Sequence, residues 1–84
     1  MTTPTDYYLL RLPEVLRRRG RSRSAHYLDI EAGLFPHPVS IGKGAIAWPD
    51  YEVSAVNAAR VAGKTEGEIR ALVTSLEAAR KTAC

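Results

Sequence analysis

The chain has 84 residues, with 12 basic and 9 acidic side chains and a formal net charge of +3. This length predicts one small domain with a modest core, and a hydrophobic fraction of 45% favours a folded protein over a disordered one. The single cysteine, Cys84, excludes an internal disulfide and a cysteine zinc site, and no apolar stretch reaches the roughly 20 residues that span a bilayer.

Two short helices are predicted after a polar N-terminus and a segment, residues 8–12, that is either extended or packed down. The first helix should begin at Leu12-Pro13, because proline is tolerated in a first helical turn. It should end at Gly20, since glycine readily adopts the left-handed conformation. Ser22 is a natural N-cap for a second helix, which runs to about Ala32. This pattern indicates a helix-turn-helix.

Arginine is concentrated in this segment, with six arginines and one acid within residues 11–23. Such a field suits docking on a phosphate backbone, although a solvated face, a membrane surface or an acidic protein partner would also accommodate it. The run at positions 17–19 should end the first helix and face a DNA strand, with one or two of its members contacting phosphate. The six are Arg11, Arg17, Arg18, Arg19, Arg21 and Arg23.

A β-hairpin is predicted next, from two short runs with apolar residues at alternate positions, 39–41 and 46–48. The turn between them is Gly42-Lys43-Gly44, which places Lys43 at the tip, as in a wing. An isolated hairpin is marginally stable, so its apolar side chains should pack on helices. These are Val39, Ile41, Ile46 and Trp48.

Two more helices complete the prediction. Pro49-Asp50 should open a third helix through about Ala62, with Tyr51, Val53, Val56 and Ala59 available for burial. Thr65 and Glu68 match a capping box at the start of a fourth helix. The apolar stripe of that helix would either cover the core or form a dimer surface. It consists of Ile69, Leu72, Val73, Leu76 and Ala79.

An ordered set of residues, LPEV, G-x-SRS-x-x-Y, AG-x-FP-x-PV-x-IG and W, spans roughly residues 10–60. It resembles the AlpA-like phage and prophage regulators, which are relatives of excisionases and of the MerR DNA-binding module. The tail from Ala58 is similar to an extension carried by some members. The resemblance implies a winged helix-turn-helix that binds DNA and regulates an integrase or assists prophage excision. The departures from the family pattern are Arg21, His26, Leu28, Asp29 and Gly44.

We therefore expect a mainly α fold with a small β-hairpin, a MerR/excisionase-like winged helix-turn-helix plus a C-terminal helix. Residues 1–7 would be a flexible N-terminus, residues 8–62 the DNA-binding domain and residues 63–84 a C-terminal helical extension. Base edges would be read from the second helix, and phosphates would be held by the arginines and the wing. The expected DNA-binding residues are Arg17, Arg18, Arg21, Ser22, Arg23, Ser24, Tyr27 and Lys43.

Three uses of such a fold remain open at this point. The protein is a transcriptional regulator at an operator, an excisionase-type directionality factor that coats or bends an attachment site, or an adaptor that kept the fold without DNA reading. Double-stranded DNA is the expected partner, with a homodimer or a cooperative assembly on it, in the cytoplasm at the bacterial nucleoid. No catalytic constellation is visible, and His26 and His37 lack metal-site spacing. We expect no enzyme activity, cofactor, metal, small-molecule substrate or membrane partner.

Overall fold

The computed structural model describes residues 6–82. Most of the expected flexible segment 1–7, and Cys84, therefore lie outside the described residues. Within these residues, three strands and four helices follow one another. They are β1 (Leu9–Leu10), α1 (Leu12–Arg19), α2 (Arg23–Glu31), β2 (Val39–Gly42), β3 (Ala45–Pro49), α3 (Asp50–Val61) and α4 (Glu66–Thr82).

The two predicted helices of the helix-turn-helix are confirmed, together with the residues that end and begin them. Gly20 closes α1 with a left-handed φ of +68°, and its N–H donates to the Leu16 carbonyl at 2.9 Å. Ser22 has extended backbone and caps α2, because its Oγ accepts from the Ala25 N–H at 3.2 Å. A turn of only three residues, 20–22, therefore joins the helices.

The sheet has three antiparallel strands in the order β1-β3-β2. The hairpin of β2 and β3 is as predicted, and β1 adds an edge strand in which Leu10 pairs with Trp48. The expectation that Ile41 and Ile46 pack on helices is wrong, since they are 42% and 38% exposed. An irregular register between Ser40 and Gly42 redirects Ile41, and Ile46 precedes the stretch of β3 that enters the core.

The core lies between the sheet and the helices and is centred on Trp48 and Phe35, both fully buried. The Trp48 indole N–H donates to the Pro36 carbonyl at 2.9 Å, so its one polar group is satisfied inside the protein. Val53 and Val56 of α3 pack in the same cluster, as predicted.

Helix α4 covers this core with its apolar stripe. Ile69, Val73 and Leu76 are buried in the same cluster as the residues of α2 and α3, so the stripe serves the core of its own chain. The capping box is confirmed by two reciprocal bonds, Thr65 N–H to Glu68 Oε1 at 2.9 Å and Glu68 N–H to Thr65 Oγ1 at 3.2 Å. Within residues 6–82 no helix has the length and apolarity needed to cross a membrane.

A buried ion pair that sequence reasoning missed joins α3 to the end of α4. Glu52 is fully buried, and its Oε2 accepts a hydrogen bond from Arg80 Nε at 2.8 Å. The same guanidinium donates to the His37 carbonyl at 2.7 Å, which ties the connection between α2 and β2 to the pair. The apolar pattern of α3 gives no sign of this interaction, because the partners are 28 residues apart.

Candidate nucleic-acid interface

Helix α2 has a buried face and an exposed face. His26, Asp29 and Ile30 are turned into the protein. The opposite face presents polar, aromatic and apolar side chains to solvent in the first two turns of the helix. These exposed residues are Arg23, Ser24, Tyr27 and Leu28.

The expected base-reading residues lie together on this exposed face. Arg23 and Tyr27 are four positions apart and therefore adjacent on a helix surface, and Ser24 lies beside both. Among residues 6–82, nothing forms an ion pair or a side-chain hydrogen bond with Arg23. The Tyr27 ring rests edge-on against His26, with centroids 5.2 Å apart, which limits its freedom while leaving it 36% exposed.

Arg17 and Arg18 project from the last turn of α1 and share one acid, Glu14 of the first turn. Arg18 Nε donates to Glu14 Oε2 at 2.9 Å, and Arg17 bonds the other carboxylate oxygen. Hydrogen bonds from Arg18 and then from Arg17 lower the pKa of Glu14. Both arginines stay open to solvent, with side chains 78% and 48% exposed, as predicted.

Arg19 is the member of the run 17–19 that turns inward, whereas the run was expected to face a DNA strand with only one or two of its members contacting phosphate. Its side chain is only 3% exposed, and its Nη2 donates to Asp29 Oδ2 at 2.8 Å. The guanidinium also lies 4.0 Å from the centroid of the Phe35 ring, a cation–π contact. The reason is helical geometry: three consecutive arginines cannot share one face, so the third is turned under the helix toward a buried acid.

Arg21, an expected phosphate contact, is held by the same carboxylate. Its Nε and Nη2 donate to Asp29 at 3.1 and 3.0 Å, while its side chain remains 43% exposed. Burial alone would raise the pKa of Asp29, but hydrogen bonds from Arg19 and Arg21 lower it, so the carboxylate is charged. Contact between Arg21 and phosphate stays a prediction. Because Nε and Nη2 are bonded to Asp29, the remaining N–H groups of the guanidinium would make that contact.

Asp29 is the residue of this candidate interface that sequence reasoning missed. A signal was present, because Arg21 and Asp29 both depart from the family pattern that the chain resembles. Arg21 and Asp29 lie eight positions apart, on either side of the Ser22 cap, and they form one ion pair. Taken together, the two departures indicate that the acid and the base balance each other's charge, which neither departure indicates by itself.

His26 fills the space between α2 and the aromatic core. It is fully buried, and its ring centroid lies 5.1 Å from Phe35 and 5.0 Å from Trp48. Arg19 Nη1 donates to His26 Nδ1 at 2.8 Å, which assigns the ring proton to Nε2. Burial, followed by the charge of Arg19, lowers the pKa of His26 to about 4. His26 is a packing residue, as predicted, and its lowered pKa keeps the ring neutral at pH 7.

Lys43 occupies the tip of the hairpin, in the turn between β2 and β3, and is exposed. In the described part of the chain it has no carboxylate partner, and no hydrogen bond links it to α2. The structure instead brings together Arg18 and Arg21, which line one open cleft with Asn57 and Arg60 of α3. The remaining expected DNA contacts lie elsewhere: Arg17 on α1, Lys43 at the hairpin, and the other four on α2 and at its N-cap, namely Ser22, Arg23, Ser24 and Tyr27.

Comparison with known proteins gives two matches. The sequence model of a family described as prophage CP4-57 regulatory protein (AlpA) matches residues 8–57, a segment that contains the helix-turn-helix, the sheet and most of α3. An uncharacterized protein, ORF88, of Enterobacteria phage P4 is 44% identical over 63 residues, which cover 75% of this chain and 72% of the relative. No solved structure matches the chain.

Proposed function

The chain belongs to the family of the prophage regulatory protein AlpA, and from this premise we propose that it is a sequence-specific, double-stranded DNA-binding regulator of phage, prophage or other mobile-element genes at the bacterial nucleoid. The observation that carries the proposal is the exposed face of α2, where Arg23, Ser24 and Tyr27 lie together at the end of an arginine-rich helix-turn-helix. The N-terminal residues of such a second helix are the ones that reach base edges in the major groove.

Arg23 is the residue best suited to read a base. It lies in the first turn of α2, is exposed, and has no competing acid among the described residues. An arginine at this place can donate two hydrogen bonds to guanine, a contact that discriminates by roughly 1–3 kcal/mol. Ser24 and Tyr27 would contact the neighbouring bases or a thymine methyl. The Ser22 hydroxyl, which already accepts from Ala25, keeps its own proton for a phosphate oxygen.

Arg17 and Arg18 would bind phosphates of the DNA backbone. Their pairing with Glu14 does not oppose this role, because exposed ion pairs contribute only about 0–1 kcal/mol and exchange readily for a phosphate. Arg21 would add its free edge, oriented by Asp29, and Lys43 would contact the backbone or the minor groove from the wing. Backbone contacts fix the register of α2 on the duplex and leave sequence reading to its exposed face.

Repeated selection of the purified protein on random duplex DNA at about 150 mM salt, near physiological ionic strength, tests the proposal. An enriched motif supports sequence-specific binding. An inverted repeat bound by a dimer identifies operator binding, and cooperative filling of tandem short sites identifies a directionality factor that coats or bends an attachment site. A folded protein that enriches no motif contradicts the proposal.

The second candidate is a protein-interaction adaptor, and it rests on one observation. Leu28 is 63% exposed in the middle of the outward face of α2, and Ile41 and Ile46 are exposed on the hairpin. An adaptor would use such exposed apolar side chains to contact its partner protein. This candidate predicts weak, sequence-independent DNA affinity that is lost by physiological salt, because such affinity would be electrostatic alone.

A further inference from the structure

A basic cleft lies where the end of α1, the helix-turn-helix turn and the last turns of α3 meet. Its walls come from parts of the chain about 40 positions apart, so the residue pattern of α1 and α2 does not reveal it. Four of its six lining residues are arginines, and none is acidic. The lining residues are Arg18, Arg19, Arg21, Asn57, Arg60 and Val61.

Hydrogen bonds inside the protein hold the walls of this cleft in place. Asn57 Nδ2 donates to the Arg18 carbonyl at 3.0 Å, which fixes α3 against the end of α1. Arg19 and Arg21 are oriented by Asp29 from beneath. A ligand entering the cleft therefore meets an Arg21 guanidinium that is already positioned, which reduces the entropy lost on binding, while the buried Arg19 adds its positive charge from beneath.

Arg60 is the least compensated of these charges. It is exposed, and within residues 6–82 it has no carboxylate partner. Burial lowers the pKa of Arg19, and its hydrogen bond with Asp29 raises that pKa. The positive charges of Arg21 and Arg60 also lower the pKa of Arg19, so Arg60 lies close enough to interact with the other arginines of the cleft. Like charges gathered this closely destabilise the free protein unless an anion joins them.

The C-terminal ends of α1 and α3 oppose anion binding in the cleft, because they carry partial negative charge, but the guanidinium groups outweigh them. Each helix C-terminus carries roughly half a negative charge. Gly20 N–H already satisfies the Leu16 carbonyl, and Gly63 N–H satisfies the Arg60 carbonyl. Two half charges and the carboxylates of Asp29 and Glu14, the second of which Arg18 shares with Arg17, still leave the four guanidinium groups with a positive excess, so the cleft attracts anions.

We propose that this cleft binds a phosphate group, and that in the DNA complex it holds a backbone phosphate beside the groove that α2 enters. The inference rests on the proposed function and extends it to α3, since Arg60 lies beyond the segment that matches the family. Phosphate suits the cleft because guanidinium groups bind its oxygens through paired hydrogen bonds. Arg21, which lines the cleft, is separated by a single residue from Arg23, so both reach one duplex.

The test compares the full chain with Arg60→Gln and with a charge-matched control, Lys81→Gln. Lys81 serves as the control because it lies away from the cleft. Its neighbour Arg80 binds Glu52 in α3, and Glu52 is eight positions before Arg60, or about 12 Å along the helix axis. Affinity for the selected duplex and for a scrambled one is measured over a range of salt. Loss of one phosphate contact lowers the slope of log K against log salt by about 0.9. We expect this drop for Arg60→Gln on both duplexes, with Lys81→Gln unchanged.

Melting temperatures in sodium phosphate and in sodium chloride of equal ionic strength distinguish the source of the phosphate. A slope change specific to Arg60→Gln supports the DNA assignment. Stabilisation by free phosphate that Arg60→Gln abolishes, with no slope change, overturns it in favour of a small-anion site. Equal slopes for both variants and no phosphate effect overturn the cleft altogether.

The selected motif separates this inference from the proposed function. If the wild-type chain enriches a motif and Arg60→Gln leaves the salt slope unchanged, the cleft assignment alone fails. If the wild-type chain enriches no motif, sequence reading fails and the DNA-backbone assignment falls with it. Circular dichroism of both variants confirms that an altered slope does not come from unfolding.

Discussion

Arg21 and Asp29 form a two-pronged ion pair across the turn of the helix-turn-helix, with Nε to Oδ2 at 3.1 Å and Nη2 to Oδ1 at 3.0 Å. Arg19 donates to the same carboxylate from the buried side at 2.8 Å. The turn that presents α2 is therefore fixed by one acid, Asp29, and two bases, Arg19 and Arg21. Arg21 and Asp29 are both departures from the pattern of the family that the chain resembles.

The two partners of this pair should differ strongly in their effect on stability. Asp29→Ala leaves Arg19 buried without an acid, and removing one member of a buried pair costs about 3–5 kcal/mol. Arg21→Ala should cost only about 1 kcal/mol, because Arg21 is partly exposed and Arg19 continues to satisfy Asp29. Urea denaturation measures both free energies of unfolding. Equal losses would show that Arg19 is not held by Asp29.

Acid should destabilise the protein through His26. The pKa of His26 is about 4 in the folded chain, against 6.5 for the unperturbed group, because burial and the charge of Arg19 oppose protonation. The unfolded state therefore binds the extra proton as pH falls from 6.5 toward 4, and stability declines across that window. The slope should approach about 1.4 kcal/mol per pH unit, the value for one proton.

His26→Leu is the control for this window. Its free energy of unfolding should stay nearly flat between pH 6.5 and about 5, because the substituted side chain does not titrate and the carboxylates begin to lose their stabilisation only below that range. Asp29, Glu14 and Glu77 have lowered pKa values in the folded protein, so their stabilisation is lost at lower pH in both chains. Parallel pH profiles for the two proteins would assign the acid sensitivity to groups other than His26.

Removing one partner of the Glu52–Arg80 pair should destabilise the protein strongly, whereas replacing both partners with apolar side chains should destabilise it little. Arg80→Met leaves the fully buried Glu52 carboxylate without its guanidinium, with an expected loss of about 3–5 kcal/mol. The double variant Glu52→Leu with Arg80→Met should recover most of this loss, since apolar packing substitutes well for a buried pair. Thermal denaturation of the two proteins gives the comparison. No recovery in the double variant would mean that the pair specifies the position of α4.

Removal of residues 63–84 tests whether residues 8–62 form a self-sufficient domain. Ile69, Val73 and Leu76 are buried against the core, and burial of each such side chain contributes about 1.5–3 kcal/mol. Their combined loss is comparable to the whole stability of a small domain, about 5–15 kcal/mol. A chain that ends at Ala62 should therefore lack a cooperative melting transition by circular dichroism. A cooperative transition would establish α4 as a dispensable extension.

Local signals predicted the order and boundaries of the helices well. Proline in the first turn of α1, Gly20 at its end, the Ser22 cap and the Thr65–Glu68 capping box act within four residues of their own positions. The stripe of α4 follows helical periodicity and is buried as that periodicity indicates. Such features depend on neighbouring residues, which is why the sequence reveals them.

The interactions that shape the candidate site depend instead on distant partners. The burial of Arg19 requires Asp29, and the cleft requires α3 to pack against the end of α1 through Asn57. Strand β1 has two residues, too few for a recognisable alternation. Ile41 was expected inside from its alternation with Val39, but a register irregularity in the hairpin moved it outward. No local pattern encodes these outcomes.

The central claim is that α2 reads bases while α1 holds the backbone, and comparing Arg23→Ala with Arg18→Ala tests it most directly. Each variant is taken through selection on random duplex DNA, and its affinity for the wild-type motif is then measured over a range of salt. Arg23→Ala should relax the preference at one base pair by about 1–3 kcal/mol, because a paired contact to that base is lost. Arg18→Ala should keep the motif, weaken all duplexes alike and reduce the salt slope by about one. Equal loss on every sequence for both variants would contradict the claim.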